Sequence, residues 1–236
     1  MTATPEITPD LFRDLADHTL LASDTTAAAL DEFLAAAEQL GVKRVCVLPS
    51  LLPVDKRGRE IVTVIGFPSG AHTADVKAFE TRRAVADGAD EIDVVVNLGL
   101  VRAQDWIGVE AELQAVREAC PGLVLKVILE TAALSDEEIV GACQAAERAG
   151  VDFVKTSTGF HATGGASLHA VRVMADTVGG RLGIKASGGI RDAATVRDMW
   201  AAGATRFGVS ATGAILEGWN DEADGTDSGA VSSTGY

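Results

Sequence analysis

Two stretches of the sequence join a helix to a strand in the same way: AERAGVDFV at residues 146–154 and MWAAGATRF at residues 199–207. In each stretch a helical pattern ends at Ala-Gly, and an apolar run begins within a few residues. Glycine is common just past the end of a helix, and apolar runs of this kind are typical of strands that are buried on both faces. The repeated junction therefore predicts equivalent strand–helix units stacked around an axis.

The same alternation extends along almost the whole chain. Strand candidates lie at residues 16–21, 42–48, 61–67, 89–97, 123–130, 151–157, 181–187 and 205–210, and helical patterns at 25–40, 73–87, 104–119, 135–149, 167–178 and 192–202. Eight buried strands that alternate with helices fit a closed TIM (β/α)8 barrel, here preceded by a short N-terminal helix. An open doubly wound sheet is the alternative, but the first strand–helix turn lacks its GxGxxG fingerprint.

The chain divides unevenly by composition. Residues 1–218 carry the strand and helix patterns and are expected to form a single barrel domain. Residues 219–236 end in NDEADGTDSGAVSSTGY, which is polar and rich in Gly, Ser and Asp. Such a stretch buries too little apolar surface to order itself, so we predict a flexible C-terminal tail.

Charge and cysteine content exclude several classes of function. The formal net charge is −14 over 236 residues, which argues against nucleic acid or an anionic membrane as a partner. The N-terminus has no signal-peptide pattern, no apolar run is long enough to span a membrane, and the three cysteines have no CxxC spacing. The four histidines lack HxH or HExxH spacing, so no metal site is expected. We predict a cytoplasmic protein.

Three lysines lie where lysine is unusual, inside apolar runs. Lys126 is in LVLKVIL, Lys155 in VDFVKTSTGF and Lys185 in LGIKASGG. If Lys155 and Lys185 face inward on neighbouring strands, burial and mutual repulsion lower an amine pKa, and a neutral lysine can attack a carbonyl. Asp93, in EIDVVVN, could then relay a proton. The alternative is that these lysines are strand-end residues whose charged groups reach solvent.

Glycine-rich turns follow the last predicted strands. Ser187-Gly188-Gly189 precedes one helix, and Gly208-Val209-Ser210 precedes a short helical segment at 213–216. Loops after strands seven and eight of such barrels, with a short extra helix, commonly bind phosphate through backbone N–H groups. Gly159 could close the same cradle. Ordinary turn glycine remains the alternative for each loop.

Several of these segments together resemble the deoxyribose-phosphate aldolases, a class I aldolase family. They are DHTLL, EIDVVVNLG, LKVILET, FVKTSTGF and IKASGGIRDAATVRDMWAAGATRFGVS, and the similarity runs from about residue 10 to 218. The resemblance implies a TIM barrel without a cofactor, commonly a homodimer or a higher homo-oligomer. It also implies reversible cleavage of 2-deoxy-D-ribose 5-phosphate to D-glyceraldehyde 3-phosphate and acetaldehyde, in the catabolism of deoxyribose phosphates.

The resemblance also assigns roles to residues. Lys155 matches the Schiff-base lysine, Lys185 the second lysine that lowers its pKa, and Asp93 the proton-relay aspartate. The supporting residues are Asp17, Lys126, Thr158 (near the catalytic water) and the final Tyr236, which in relatives with a similar tail can fold over the site. The phosphate-binding positions are Gly159, Gly188, Gly189, Gly208 and Ser210.

Two positions depart from the family pattern. Some members have a phosphate-binding lysine where this chain has Phe160, and others have a second serine where it has Ala211. These changes predict weaker phosphate binding and better competition by non-phosphorylated aldehydes. Two alternative functions remain open from the residues: another Schiff-base barrel, such as a transaldolase, and a non-catalytic sensor of a phosphorylated ligand.

Overall fold

A computed structural model describes the backbone of residues 5–225 and the side chains of residues 5–219. Eight parallel strands form a closed barrel in the order β1 to β8, each paired with its neighbours in sequence and β8 with β1. The strands are β1 Ala16–Leu20, β2 Arg44–Val47, β3 Glu60–Ile65, β4 Glu91–Val95, β5 Val124–Ile128, β6 Phe153–Lys155, β7 Gly183–Ser187 and β8 Arg206–Val209. The predicted TIM barrel is confirmed, and the doubly wound alternative is wrong because the sheet closes.

Helices connect most of the strands and cover the outside of the barrel. They are α1 Pro9–Leu15, α2 Ala27–Leu40, α3 Ala74–Ala86, α4 Leu98–Arg102, α5 Trp106–Ala119, α6 Asp136–Arg148, α7 Leu168–Val178, α8 Ala193–Ala201 and α9 Thr212–Gly225. The main hydrophobic core lies between the helices and the outward faces of the strands. None of the described helices is both long and apolar enough to cross a membrane.

Local sequence signals explain where several helices begin and end. Ser135 and Glu138 form the reciprocal capping box at the start of α6, which satisfies two backbone N–H groups. Gly41 ends α2 in the left-handed conformation, with φ at 68°. The short α4 was not predicted from the sequence; the side chain of Asn97 accepts hydrogen bonds from two of its first N–H groups.

The register of the strands decides which side chains meet inside the barrel. Asp93 of β4 lies opposite Lys126 of β5, and Lys155 of β6 lies opposite Lys185 of β7. Because successive side chains of a strand point to opposite faces, residues at matching positions share the barrel interior. Many of these barrels are filled by branched aliphatic residues, whereas this one encloses charged groups.

The C-terminal helix α9 runs beyond residue 218, where the sequence places the start of a tail. The Trp219 side chain is buried, and its ring lies 5.0 Å from the ring of Phe12 in α1. Residues 219–225 are therefore helical, and Trp219 belongs to the packed core. Tyr236 and the rest of the predicted tail lie outside the described residues.

Candidate active site

Asp93 is the centre of a buried cluster of charged groups inside the barrel. Its Oδ2 accepts hydrogen bonds from the Nζ atoms of Lys155 and Lys185, both at 2.7 Å, and its Oδ1 accepts one from Lys126 Nζ at 2.9 Å. All four side chains are almost inaccessible to solvent. The structure thus brings together the predicted catalytic residues Lys155, Lys185 and Asp93, and the alternative of solvent-exposed lysine head groups is wrong.

Further charged side chains lie deeper in the barrel and contact the lysines around Asp93. Asp17 accepts hydrogen bonds from Lys185 and, at 2.9 Å, from Arg206 Nη1. Glu91 is in contact with Lys126 and with Arg206 Nη2 at 3.2 Å. The two supporting residues predicted here, Asp17 and Lys126, are therefore joined to the centre of the site. Glu91 and Arg206 were not predicted, because only the register shows that their side chains meet.

The balance of charge in this cluster favours one uncharged lysine. Four fully or nearly buried cations, Lys126, Lys155, Lys185 and Arg206, face three buried carboxylates, Asp17, Glu91 and Asp93. If every group were ionised, one positive charge would be in excess in a medium that solvates charge poorly. Losing one proton from a lysine removes that excess.

The surroundings of the two opposing lysines shift their pKa values in opposite directions. Burial lowers the pKa of Lys155, and the positive charge of Lys185 lowers it further, while Asp93 opposes both effects. Burial also acts on Lys185, but the carboxylates of Asp17 and Asp93 outweigh it and raise the Lys185 pKa. The pKa of Asp93 lies well below its usual range, because the three lysines outweigh the effect of its burial.

A cavity of about 420 Å³ opens at the carboxyl ends of the strands and reaches Lys155. All five predicted phosphate-binding residues line the cavity: Gly159, Gly188, Gly189, Gly208 and Ser210. Thr158 lines it as well. Lys185 and Asp93 lie behind the cavity wall. Of the two opposing lysines, Lys155 is thus the one that a ligand in the cavity can contact.

Two of the glycines in the cavity wall are required by close packing. A Cβ atom on Gly208 would lie 3.0 Å from the Cβ of Ser187 and 3.1 Å from the Cε of Lys185, so the missing side chain makes room for that lysine. Gly188 has φ at +87°, a conformation that favours glycine, and its carbonyl accepts a hydrogen bond from Ala166 N–H. Both glycines shape the wall whether or not a phosphate binds.

Phe160, one of the two departures from the family pattern noted in the sequence, stands at the mouth of the cavity. Its ring is 55% exposed and packs edge-on against Phe67, with the ring centroids 5.2 Å apart. Arg191, which the sequence analysis did not single out, also lines the cavity and is exposed. The mouth thus combines an aromatic surface with one cation.

Comparison with known proteins identifies the family. A family model described as DeoC/LacD family aldolase matches residues 14–218. The chain belongs to this aldolase family. A deoxyribose-phosphate aldolase of Kocuria rhizophila is 58% identical over 206 residues, covering 86% of this chain and 94% of that one. Another, of Corynebacterium diphtheriae, is 57% identical over 203 residues, covering 85% of this chain and 93% of the relative.

Solved structures of aldolases share the architecture of this aldolase. One named "QR15, an Aldolase" is 38% identical with a TM-score of 0.84, covering 90% of this chain and 97% of its own. The deoxyribose phosphate aldolase of Aeropyrum pernix, described as having a unique tetrameric structure, is 32% identical with a TM-score of 0.83. These two chains superpose over 91% of this aldolase and 92% of the relative.

The aldolase contains one further buried carboxylate beside the cavity, which sequence reasoning missed. Glu130 follows β5 and is 1% exposed, and its carboxylate accepts hydrogen bonds from Thr158. The sequence signal was present, since a glutamate directly after the apolar run LVLKVIL falls at the carboxyl end of a strand.

Proposed function

We propose that this aldolase is a deoxyribose-phosphate aldolase and that Lys155 is its Schiff-base nucleophile. It is an aldehyde-lyase of class I, which cleaves 2-deoxy-D-ribose 5-phosphate reversibly to D-glyceraldehyde 3-phosphate and acetaldehyde. The observation that carries the assignment of Lys155 is its position. Its amine lies at the end of the 420 Å³ cavity, and its pKa is lowered by burial and by Lys185.

The proposed cycle begins when neutral Lys155 attacks the C1 aldehyde of the open-chain sugar phosphate. Loss of water gives an iminium ion, which accepts the electron pair of the C2–C3 bond when the C3 hydroxyl loses its proton and C3 becomes an aldehyde carbon. Glyceraldehyde 3-phosphate leaves, and an enamine remains on Lys155. Protonation and hydrolysis of that adduct release acetaldehyde and restore the amine.

Two neighbours of Lys155 have supporting roles in this proposal. Asp17 and Asp93 raise the pKa of Lys185, and its positive charge adds to the effect of burial in lowering the pKa of Lys155. Asp93 contacts both amines and relays protons between them and the carbinolamine. Lys126 and Asp17 hold these groups in place from below.

The phosphate of the substrate is proposed to bind where the glycine-rich loops meet. Gly159, Gly188, Gly189, Gly208 and Ser210 line that part of the cavity, and Arg191 adds a positive charge. Backbone N–H groups in such loops bind phosphate oxygens without a net change of charge. Thr158 is proposed to hold the catalytic water near Lys155.

Trapping with borohydride tests the central assignment. The protein is incubated with acetaldehyde and reduced, and the adduct is located by peptide mass. We expect modification at Lys155 and none at Lys77, a fully buried lysine outside the cavity. Absence of an adduct would favour a phosphate-ligand sensor, and detection of a product other than acetaldehyde in the cleavage reaction would favour another Schiff-base aldolase.

Two further proposals go beyond what the described residues show. We propose a cytoplasmic homo-oligomer, supported by the tetrameric relative, with light scattering of the purified protein as the measurement of assembly. We propose that Tyr236 assists proton transfer. Deleting this last residue should then slow exchange of the acetaldehyde methyl protons in heavy water, and unchanged exchange would exclude that role.

A further inference from the structure

Glu130 is a buried carboxylate without a cationic partner. Its side chain is almost inaccessible, yet among the described residues no lysine, arginine or histidine forms an ion pair with it. The other buried carboxylates of the barrel, Asp17, Glu91 and Asp93, each contact at least two cations. Because burying an unpaired carboxylate is costly, its retention beside the cavity needs an explanation.

The backbone at Glu130 holds the carboxylate in this place. Glu130 adopts a left-handed conformation with φ at 59° and ψ at 52°, which is unfavourable for a residue other than glycine. The next residue, Thr131, donates its N–H to the carbonyl of Thr156 at 2.8 Å, so the turn is tied to the loop after β6. The strained turn directs the side chain of Glu130 to Thr158.

The hydrogen bonds of Thr158 leave its hydroxyl able to accept one more hydrogen bond but not to donate one. Its Oγ1 donates to Glu130 Oε2 and accepts from the N–H of Phe160 at 3.1 Å. A hydroxyl has one proton to donate and two lone pairs, so a single lone pair remains. Since Thr158 lines the cavity, a ligand there meets a hydroxyl that can only accept a hydrogen bond.

Asp93 cannot act in the same way as a hydrogen-bond acceptor close to a ligand in the cavity. Its two oxygens already accept three hydrogen bonds from lysines, and it is fully buried behind Lys155. Among the described residues, no carboxylate lines the cavity itself. Asp93 reaches the cavity only through the amine of Lys155, whereas Glu130 reaches it through the hydroxyl of Thr158.

We propose that Glu130 is a positioning residue that fixes the Thr158 hydroxyl as a hydrogen-bond acceptor for the water that takes the proton of the substrate C3 hydroxyl. A water that donates a hydrogen bond to Thr158 keeps its lone pairs free for the substrate hydroxyl. As it takes the C3 hydroxyl proton, the water passes one of its own protons to Thr158 Oγ1, and the Thr158 hydroxyl proton moves to Glu130 Oε2, which is the final acceptor. Because the Thr158 hydroxyl donates its proton to the carboxylate of Glu130, its oxygen becomes a stronger hydrogen-bond acceptor for the water. The inference rests on the proposed function and extends it to a residue outside the lysine cluster.

The test compares Glu130→Gln, Thr158→Val and the double variant in steady-state cleavage of deoxyribose 5-phosphate. Glutamine keeps the shape but removes the charge, and valine keeps the shape but removes the hydroxyl. We expect each single variant to lower kcat roughly 10- to 100-fold with KM changed less than about threefold. The double variant should be no slower than Thr158→Val, because Glu130 acts only through that hydroxyl.

Two controls separate this role from a structural one. Glu138→Gln removes a buried carboxylate that caps α6 and should leave kcat unchanged. Thr158→Ser retains a hydroxyl and should restore most of the rate lost in Thr158→Val. Borohydride trapping of acetaldehyde should be as efficient in the variants as in the unsubstituted protein, since Lys155 is untouched.

Three results would overturn the proposal: additive losses of rate in the double variant, a large rise in KM with unchanged kcat in the single variants, or an unchanged kcat in Thr158→Val. The third result can be obtained even if Glu130→Gln does not fold. A Glu130 that only pins the loop before Gly159 would give the second result. Failure of the proposed function looks different, because the unsubstituted protein would then form no adduct at Lys155.

Discussion

At the scale of single residues, the three lysines in apolar runs could be predicted and their partners could not. An ammonium in a β-branched run is a local anomaly that needs no knowledge of the fold. Arg206 and Glu91 give no such signal in the sequence, because charged residues are ordinary at the end of a strand. Only the register shows that these side chains complete the charge balance around Lys155.

The role of Lys185 can be tested by the pH dependence of the rate. Lys185→Met removes the positive charge that helps to lower the Lys155 pKa, so that pKa should rise. Because only the neutral amine attacks, the acidic limb of the kcat/KM profile should move to higher pH. Activity at neutral pH should fall by roughly 100-fold or more and recover partly in base.

Lys185→Arg is the matched control for charge. It retains the cation, so the acidic limb should stay near its original position even if the rate falls. A Lys185→Met profile with an unmoved acidic limb would contradict the proposed effect of Lys185 on Lys155.

The phenylalanine at position 160, in the cavity mouth, predicts a relaxed substrate preference. Phe160 packs on Phe67 and offers no charge to a phosphate. We expect kcat/KM for deoxyribose to lie closer to that for its 5-phosphate than in a Phe160→Lys variant, which adds a cation to the mouth. A preference of several orders of magnitude for the phosphate in the unsubstituted protein would refute the relaxed site, and Phe67→Leu serves as the control for loss of the aromatic contact.

At the scale of elements, strong local signals predicted most boundaries and tertiary contacts decided the rest. The capping box at Ser135 and the glycine at 41 mark helix ends that the structure retains. The helix α4 has only five residues and no room for a helical period, so its pattern LGLVR could not be separated from a loop. It forms because Asn97 caps it directly after β4.

His18 joins three elements, and its neutral form should stabilise the fold. Its ring stacks on Phe33 of α2 at 4.5 Å, and its Nδ1 lies 2.8 Å from the hydroxyl of Thr212 in α9. Burial lowers the pKa of His18 from 6.5 to about 4. The unfolded chain then takes up a proton before the folded one does, so stability is complete above pH 6.5 and falls as the pH approaches 4.

That linkage predicts a measurable difference between two variants. Across this pH interval the loss from His18 amounts to about 3 kcal/mol. His18→Gln cannot titrate, so its free energy of unfolding by urea should fall less steeply between pH 6.5 and 4 than that of the parent. His72→Gln, at an exposed position, should keep the parental slope. Equal slopes for His18→Gln and the parent would contradict the neutral, buried histidine.

At the scale of the whole molecule, the barrel was predictable because its signal is repeated eight times. Errors in single elements do not change the count of alternating strands and helices, and closure follows from strands too apolar to leave an edge exposed. The C-terminal boundary of the domain occurs only once, so no repeated pattern in the sequence marks it. Composition changes near residue 220, but α9 continues to Gly225 and buries Trp219 against Phe12.

The domain boundary is therefore proposed to lie after residue 225, and two truncations test it. A chain ending at 218 loses Trp219, whose ring contacts Phe12 at 5.0 Å and lies under the guanidinium of Arg197. We expect it to be less stable by about 3 kcal/mol or more, the usual cost of removing a large buried aromatic side chain. A chain ending at 225 keeps this packing and should unfold at the same urea concentration as the full chain. Trp219→Ala in the full chain should reproduce most of the loss, and a 1–218 chain as stable as the full one would place the boundary at 218 instead.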